Sequence, residues 1–225
     1  MQNRNRSIIL GVSALAVIVV IALIVVNRPT TDVTVFGFDD LGKSVSASGH
    51  PVLGNPDAPV TMRVYEDLGC PNCKTFWADT EPDIIESYVK AGTVKIEIFT
   101  LAFVNASSLP GAEGVLCAAD QGYFWEYREV LFQNQGVRAF DRSNLLDWAE
   151  DIGMDRSTFG NCFDLGKYQA DVVEQSQQAF EFGITGTPTS EINGVRHVGV
   201  FPFISTDVVE GMDSILTGAL DSLAE

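Results

Sequence analysis

Basic residues are scarce: 14 lysines and arginines stand against 30 aspartates and glutamates in 225 residues, a net charge of −16. A chain this acidic repels a phosphate backbone, which excludes nucleic acid as a partner. Histidine is scarcer still. The only two, His50 and His197, lie far apart in sequence, so neither is read as a catalytic base or a metal ligand. Cysteine is limited to Cys70, Cys73, Cys117 and Cys162, and only the first two are close together. That spacing argues against a four-cysteine zinc site, which usually presents two close pairs. The chain also lacks internal repeats and low-complexity tracts, so the part beyond the N-terminus is read as one domain large enough for a substantial core.

What the chain has in excess stands at its start. No charged residue occurs from Ser7 to Asn27, and Ile8 to Val26 is almost wholly aliphatic, long enough to cross a bilayer's hydrocarbon core. No Ala-x-Ala pattern follows, so the segment reads as an uncleaved signal anchor rather than a cleaved secretory signal. Arg4 and Arg6 precede it, while Arg28 alone follows, ahead of Asp32, Asp39 and Asp40. The flanking charge puts the N-terminus in the cytoplasm and the bulk of the chain outside it. Residues 1–28 are therefore expected to be a single-pass transmembrane helix in the cell membrane, held by the lipid bilayer. Residues 29–51, rich in Pro, Gly, Ser and Thr, read as a tether, and 52–225 as the folded domain. Within the tether DVTVFGF alternates like a short strand or docking segment. Beyond residue 28 lie all 30 acidic residues and 11 basic ones, a net charge of −19.

APVTMRVYEDLG carries a β-favouring run, PNCKTFWADTEPDIIESYVKAG has helical spacing up to Gly92, and TVKIEIFTLAF reads as a second strand. Strand, helix, strand is the parallel βαβ unit. Helical periodicity then extends over about 108–182, interrupted near Gly136 and Gly153. TSEI and VRHVGV flank Asn193-Gly194, a two-residue hairpin turn, and a closing helix is expected over about 204–224. The fold class is α/β: βαβ, a helical insertion, then ββα.

This order places LGCPNC, residues 68 to 73, where a strand becomes a helix. Pro71 falls at the first helical position, where its missing N–H costs nothing. Cys70 and Cys73 then share one helical face. A thiol at a helix N-terminus meets unpaired N–H groups and the positive end of the dipole, which favour the nucleophilic thiolate. Cys70 is accordingly the attacking sulfur. Cys73, one turn deeper and less exposed, resolves a mixed disulfide by attacking Cys70. Glu66 and Asp67 should raise the pKa of Cys70, and Lys74 together with the helix terminus should lower it.

The strand-CxxC-helix start, the helical insertion, the TGTPT segment at 185–189 before a hairpin and DQGYFWEY at 120–127 together resemble the thioredoxin superfamily. The resemblance is to exported DsbA-type thiol-disulfide oxidoreductases and covers roughly residues 52–224. It implies a thioredoxin-like fold in which Pro188 is cis and lies against the active-site disulfide, while the backbone of Thr187 pairs with an extended substrate. It implies exported protein substrates, no metal or organic cofactor, and a redox-active Cys70–Cys73 disulfide that carries the electrons. The membrane redox partner would be a quinone-linked oxidase or a transmembrane thiol carrier. An even cysteine count outside the cytoplasm, with the second disulfide that similar proteins carry in this region, assigns Cys117 and Cys162 as a structural pair.

Three features depart from the family. Pro71-Asn72 stands where the strongest oxidants have Pro-His. Val64 stands six residues before Cys70, where relatives often bury a carboxylate; Glu66 and Asp67 are the candidates to replace it in proton transfer, and many membrane-anchored relatives carry Asp at the position of Asp67. Ser190-Glu191 follows the proline where relatives usually have large apolar residues. Oxidase and reductase both stay open. So does a second class, a non-enzymatic thioredoxin-like metal-handling assembly factor or accessory subunit of a membrane complex, because CxxC also suits Cu(I); none of the four methionines adjoins it. Phe76, Trp77, Phe124, Trp125, Tyr127 and Trp148 read as core and groove walls, and Asn105-Ala106-Ser107 as a chance match to a glycosylation acceptor.

Overall fold

In the computed structural model of the protein, residues 37–38 and 40–223 are described. The expected transmembrane helix at 1–28, and DVTVFGF apart from its last two residues, lie outside them. Among the described residues no helix is long and apolar enough to cross a membrane.

The described strands are β1 (Lys43–Val45), β2 (Pro51–Leu53), β3 (Val60–Asp67), β4 (Val94–Leu101), β5 (Thr189–Ile192) and β6 (Val195–Val198), arranged in one sheet in the order β1-β2-β4-β3-β5-β6. Only β3 and β4 run parallel, in register from Val60 opposite Val94 to Asp67 opposite Leu101. The alternation in β3 explains its place at the centre. Val60, Met62 and Val64 are fully buried, while Thr61, Arg63 and Tyr65 between them are not, so one face of the strand is fixed against the core. Its last two residues, Glu66 and Asp67, are both buried and both charged, which marks the end of β3 as the unusual part.

The stretch read as a tether contributes to this sheet. β1 lies wholly within 29–51 and Pro51 opens β2, which pairs antiparallel with β4 through Val52 opposite Glu97. Phe38 is buried too, its ring 6.0 Å from that of Trp125. Strands of three residues are too short to show a period, and their Gly, Ser and Pro neighbours read as linker.

The helix expected to run unbroken to Gly92 is divided. It comprises α1 (Pro71–Asp79) and α2 (Glu81–Ile84), the latter continuing as a π-helical turn over Ile85–Val89. Pro82 causes the break: without an N–H, and with a ring that would clash one turn back, it is tolerated only in the first turn of a new helix. Gly92, at φ +73°, ends the segment.

The insertion consists of α3 (Ser108–Ala119), α4 (Phe124–Asn134), α5 (Arg142–Asp151), α6 (Arg156–Asp164) and α7 (Gln169–Glu181). Asp141 and Asp155 cap α5 and α6, accepting from the N–H groups of Asn144 and Thr158 at 3.0 and 2.6 Å. Tyr127 donates to the Leu145 carbonyl at 2.8 Å and ties α4 to α5. The closing helix α8 is Met212–Asp221, shorter than expected. Residues 199–211 form a loop instead, because Gly211 packs so closely on the backbone of 203–205 that a Cβ there would lie 2.4 Å from the Ser205 nitrogen.

A disulfide joins Cys117 on α3 to Cys162 on α6, with Cα atoms 5.8 Å apart and 45 positions between them in sequence. Replacing both by alanine should lower the unfolding free energy by about 4 kcal/mol, the loop-closure entropy for that length. Urea denaturation of the oxidised protein measures it. A loss below about 1 kcal/mol would mean the insertion stays closed in the unfolded chain without its crosslink.

Candidate active site

The parallel pair β3–β4 delivers the end of β3 to the head of α1, and the two cysteines sit at that junction. Cys70 is the residue just before the helix, with extended φ and ψ of −81° and 121°, and Pro71 opens the helix. The Cys70 N–H donates to the Asp67 carbonyl at 2.9 Å, closing the turn. Both cysteines are free, Cys70 6% exposed and Cys73 1%. When protonated, Cys70 donates to the Thr187 carbonyl at 3.3 Å, and Cys73 accepts from the Asp67 N–H at 3.4 Å. The Thr187–Pro188 bond is cis, and both residues are buried.

The two sulfurs differ chemically. The Cys73 thiol, donating to Cys70, does most to lower the Cys70 pKa to about 5; burial opposes it, and the Thr187 side chain and the Cys73 and Asn72 N–H groups reinforce it. Cys73 is pushed far up by burial, then by donating to Cys70 and by the nearby charge of Glu66. At neutral pH the pair is one thiolate and one thiol. Iodoacetamide should therefore modify Cys70 with a midpoint near pH 5 and leave Cys73 untouched. Prior labelling of Cys73 would reverse the assignment of roles. The folded pKa of Cys70 lies below its unfolded value, so the dithiol form gains stability from it at and above neutral pH. That contribution is lost as pH falls through about 5.

The charged neighbours act differently from the expectation. Lys74 donates to the carbonyls of Gln135 at 2.8 Å and Gln133 at 3.5 Å, so its ammonium is committed to α4 and the loop after it. Asp67 is enclosed by backbone: one carboxylate oxygen accepts from the Gly69 N–H at 2.7 Å, the other from Phe103 and Val104 at 2.8 and 3.0 Å. It shapes the turn. Glu66 is the carboxylate coupled to the thiols, and its field falls on Cys73. Burial raises its own pKa, opposed by Arg128. Val64 lies in the apolar core, and Pro71 and Asn72 are exposed at the mouth of the site.

Three residues that the sequence reading did not connect with the thiols, Arg128, Gln135 and Asn105, complete the surroundings. Arg128, fully buried on α4, binds Glu66 through Nε and Nη2 and Glu81 through Nη1 and Nη2, all at 2.7 Å. Gln135 Nε2 donates to the carbonyls of Leu68 at 2.7 Å and Cys70 at 3.0 Å. Asn105 Nδ2 donates to the Gly69 carbonyl at 2.5 Å. A signal existed for two of them: an arginine amid the apolar FWEYREVLF, and the Asn-Ala-Ser motif, which is a turn in which Asn105 Oδ1 accepts from the Ser107 N–H. That turn presses on Gly69, where a Cβ would lie 2.6 Å from Asn105 Oδ1 and 2.7 Å from Ser108 Oγ, so a side chain there would push the two hydrogen-bonding groups out of place.

The histidines are elsewhere. The His50 ring lies 3.8 Å from that of Phe99, tilted by 36°, and His197 meets Phe201 edge-on at 5.7 Å. Among the described residues no group of three or more His, Cys, Asp or Glu could hold a metal ion.

The family model described as Thioredoxin matches residues 46–200. Disulfide bond formation protein D of Bacillus subtilis (strain 168) is 35% identical over 101 residues, 44% of this chain and 46% of that protein. Na(+)/H(+) antiporter NhaA 1 of Salinispora arenicola is 29% identical over 186 residues, 81% of this chain and 26% of that protein. The chain thus spans less than half the length of either relative. Among solved structures, oxidised BdbD from Bacillus subtilis superposes with a TM-score of 0.68 at 24% identity, covering 80% of this chain and 97% of that one.

Proposed function

The chain belongs to the thioredoxin family, and on that premise we propose that it is a membrane-tethered, extracytoplasmic thiol-disulfide oxidoreductase that exchanges disulfides with exported proteins through Cys70 and Cys73. The observation that carries the reading is the unequal pair of thiols beside Thr187–Pro188: one sulfur prepared to attack or leave, the other kept protonated behind it. The name of the Bacillus relative supports the same chemistry. The anchor rests on the apolar run from Ile8 to Val26 and on the preceding arginines.

In the oxidising direction a client thiolate attacks Cys70 Sγ of the disulfide. The Cys70–Cys73 bond breaks, the client–Cys70 bond forms, and Cys73 departs with the electron pair and takes up a proton. A second client thiolate then attacks the client's own sulfur in the mixed disulfide and expels Cys70 as a thiolate. The client loses two electrons and the Cys70–Cys73 pair gains them. A thiolate with a pKa near 5 is a good leaving group, and it stabilises the dithiol form, which favours this direction. A quinone-linked membrane protein would then restore the disulfide; a transmembrane thiol carrier would serve the reverse direction. No further cofactor is needed.

Equilibration with glutathione tests the direction. A potential above about −180 mV places the pair with the oxidants, and one below about −250 mV makes it a reductase. Protease added to intact cells should digest the chain beyond residue 30, and protection until the membrane is broken would exclude the proposed orientation.

A further inference from the structure

We infer that Gln135, together with Asn105, is a positioning residue for Cys70: the two side-chain amides hold the backbone of the active-site turn and thereby set the reactivity of its sulfur. This deepens the oxidoreductase reading and rests on it for the role of Cys70. Three successive carbonyls, those of Leu68, Gly69 and Cys70, are engaged from outside the turn, the first and third by Gln135 and the second by Asn105. The N–H groups of the first two of these peptide units are engaged as well, Gly69 to the Asp67 carboxylate at 2.7 Å and Cys70 to the Asp67 carbonyl at 2.9 Å. Planar peptide units bonded on both edges cannot rotate without breaking two hydrogen bonds each. The Cys70 carbonyl also accepts from the Lys74 N–H at 3.2 Å, so the peptides on both sides of the Cys70 Cα are pinned.

With φ and ψ of Cys70 held, the direction of its Cα–Cβ bond is held, and with it the approach of the sulfur to the Cys73 thiol and to the N–H groups of Asn72 and Cys73. The strap is reciprocal, since Lys74 on α1 returns a hydrogen bond to the Gln135 carbonyl. Gln135 follows the last residue of α4, so its side chain ties the helical insertion to the redox turn, while Asn105 ties to it the loop that precedes the insertion.

Alkylation of Cys70 against pH, followed by mass spectrometry on the full-length dithiol protein, tests this without requiring turnover. Gln135→Met keeps the length of the side chain and removes the donor without adding a charge. Its midpoint should rise by about one unit. Its equilibrium with glutathione should move about tenfold toward the disulfide, about 30 mV for a two-electron couple. Gln135→Glu, which turns a carboxylate on the carbonyls, should raise the midpoint further. Asn105→Ser keeps an oxygen for the Ser107 N–H but is too short to reach Gly69; it should shift the midpoint in the same direction, and serves if Gln135→Met does not fold. If Gln135→Met and Asn105→Ser both titrate like wild type and only the added charge of Gln135→Glu moves the midpoint, the amides do not position the sulfur and the proposal is wrong. If the neutral variants shift as expected but the wild-type protein neither oxidises a dithiol peptide nor reduces a disulfide one, the positioning stands and the oxidoreductase reading fails.

Discussion

Cys73→Ser should accumulate mixed disulfides between Cys70 and client proteins, while Cys70→Ser should trap none and lose at least about a thousandfold of the exchange rate. The asymmetry follows from the two sulfurs. Cys70, lowered to about 5 with the Cys73 thiol as its main donor, lies beside the Thr187 carbonyl, and a serine hydroxyl at 73 can still donate to it, so capture of a client disulfide survives the substitution. Escape does not. The mixed disulfide is cleared when Cys73 loses its proton and attacks Cys70, and a serine hydroxyl cannot do so. Trapped species are counted on non-reducing gels of membranes from cells carrying each variant, with alkylation on lysis. A metal carrier behaves otherwise. Its two thiolates are near-equivalent ligands, and either substitution should weaken Cu(I) binding to a similar degree. If neither variant captures protein and both lose Cu(I) equally, the redox reading must be abandoned for the metal-handling one.

The parts of the molecule that could be read in sequence are those in which local pattern and tertiary environment agree. β3 alternates because one of its faces is buried, and Asn193-Gly194 forms the hairpin turn because both residues adopt positive φ, at 49° and 79°. Gly136 and Gly153 interrupt the insertion as their positions suggested, again at positive φ. Gly122 and Gly166 do so too, at φ +83° and +58°, but apolar residues on both sides keep the helical period through them and conceal the breaks. β1 and β2 were hidden for the opposite reason, being three-residue strands recruited by the edge of β4 rather than by a pattern of their own.

The same distinction runs through the site. Cys70, Pro71 and Cys73 carry a local signature, since helix-start chemistry dictates which residues stand there. Gln135 carries none, and the Asn-Ala-Ser motif at Asn105 marks a turn but nothing that points to the thiols. Each is an ordinary polar residue in a loop, and it gains meaning only from the 65 and 36 positions that separate it from the carbonyls of Cys70 and Gly69. Glu66 was a candidate only by its nearness to Cys70. What defines it is a guanidinium 62 positions away, which no local reading supplies.

That guanidinium carries the largest stability effect expected in the molecule. Arg128 is fully buried between Glu66 and Glu81, which are 1% and 2% exposed, and its guanidinium lies 5.1 Å from the ring centre of Phe132 and 5.7 Å from that of Trp125. Two carboxylates share one cation, so the triad already carries a net negative charge out of water. Removing the cation leaves two like charges buried without a partner. Arg128→Met should lower the unfolding free energy by about 3–5 kcal/mol at pH 7, the usual cost of breaking a buried ion pair from one side. The pH dependence identifies the cause. Without Arg128, burial and the neighbouring carboxylates raise the Glu66 carboxyl further above its unfolded value. A folded state that binds more protons than the unfolded one loses stability as pH rises. The variant should therefore approach wild type near pH 4 and fall progressively behind it toward pH 7. Wild-type Glu66, already raised by burial, gives a weaker trend of the same sign. Urea denaturation at several pH values measures both. Adding Glu66→Gln and Glu81→Gln to Arg128→Met should restore most of the loss at pH 7, because the buried charge is then gone. If the triple variant is as unstable as Arg128→Met and the deficit does not change with pH, the side chain acts by packing between the aromatic rings rather than by holding the two carboxylates.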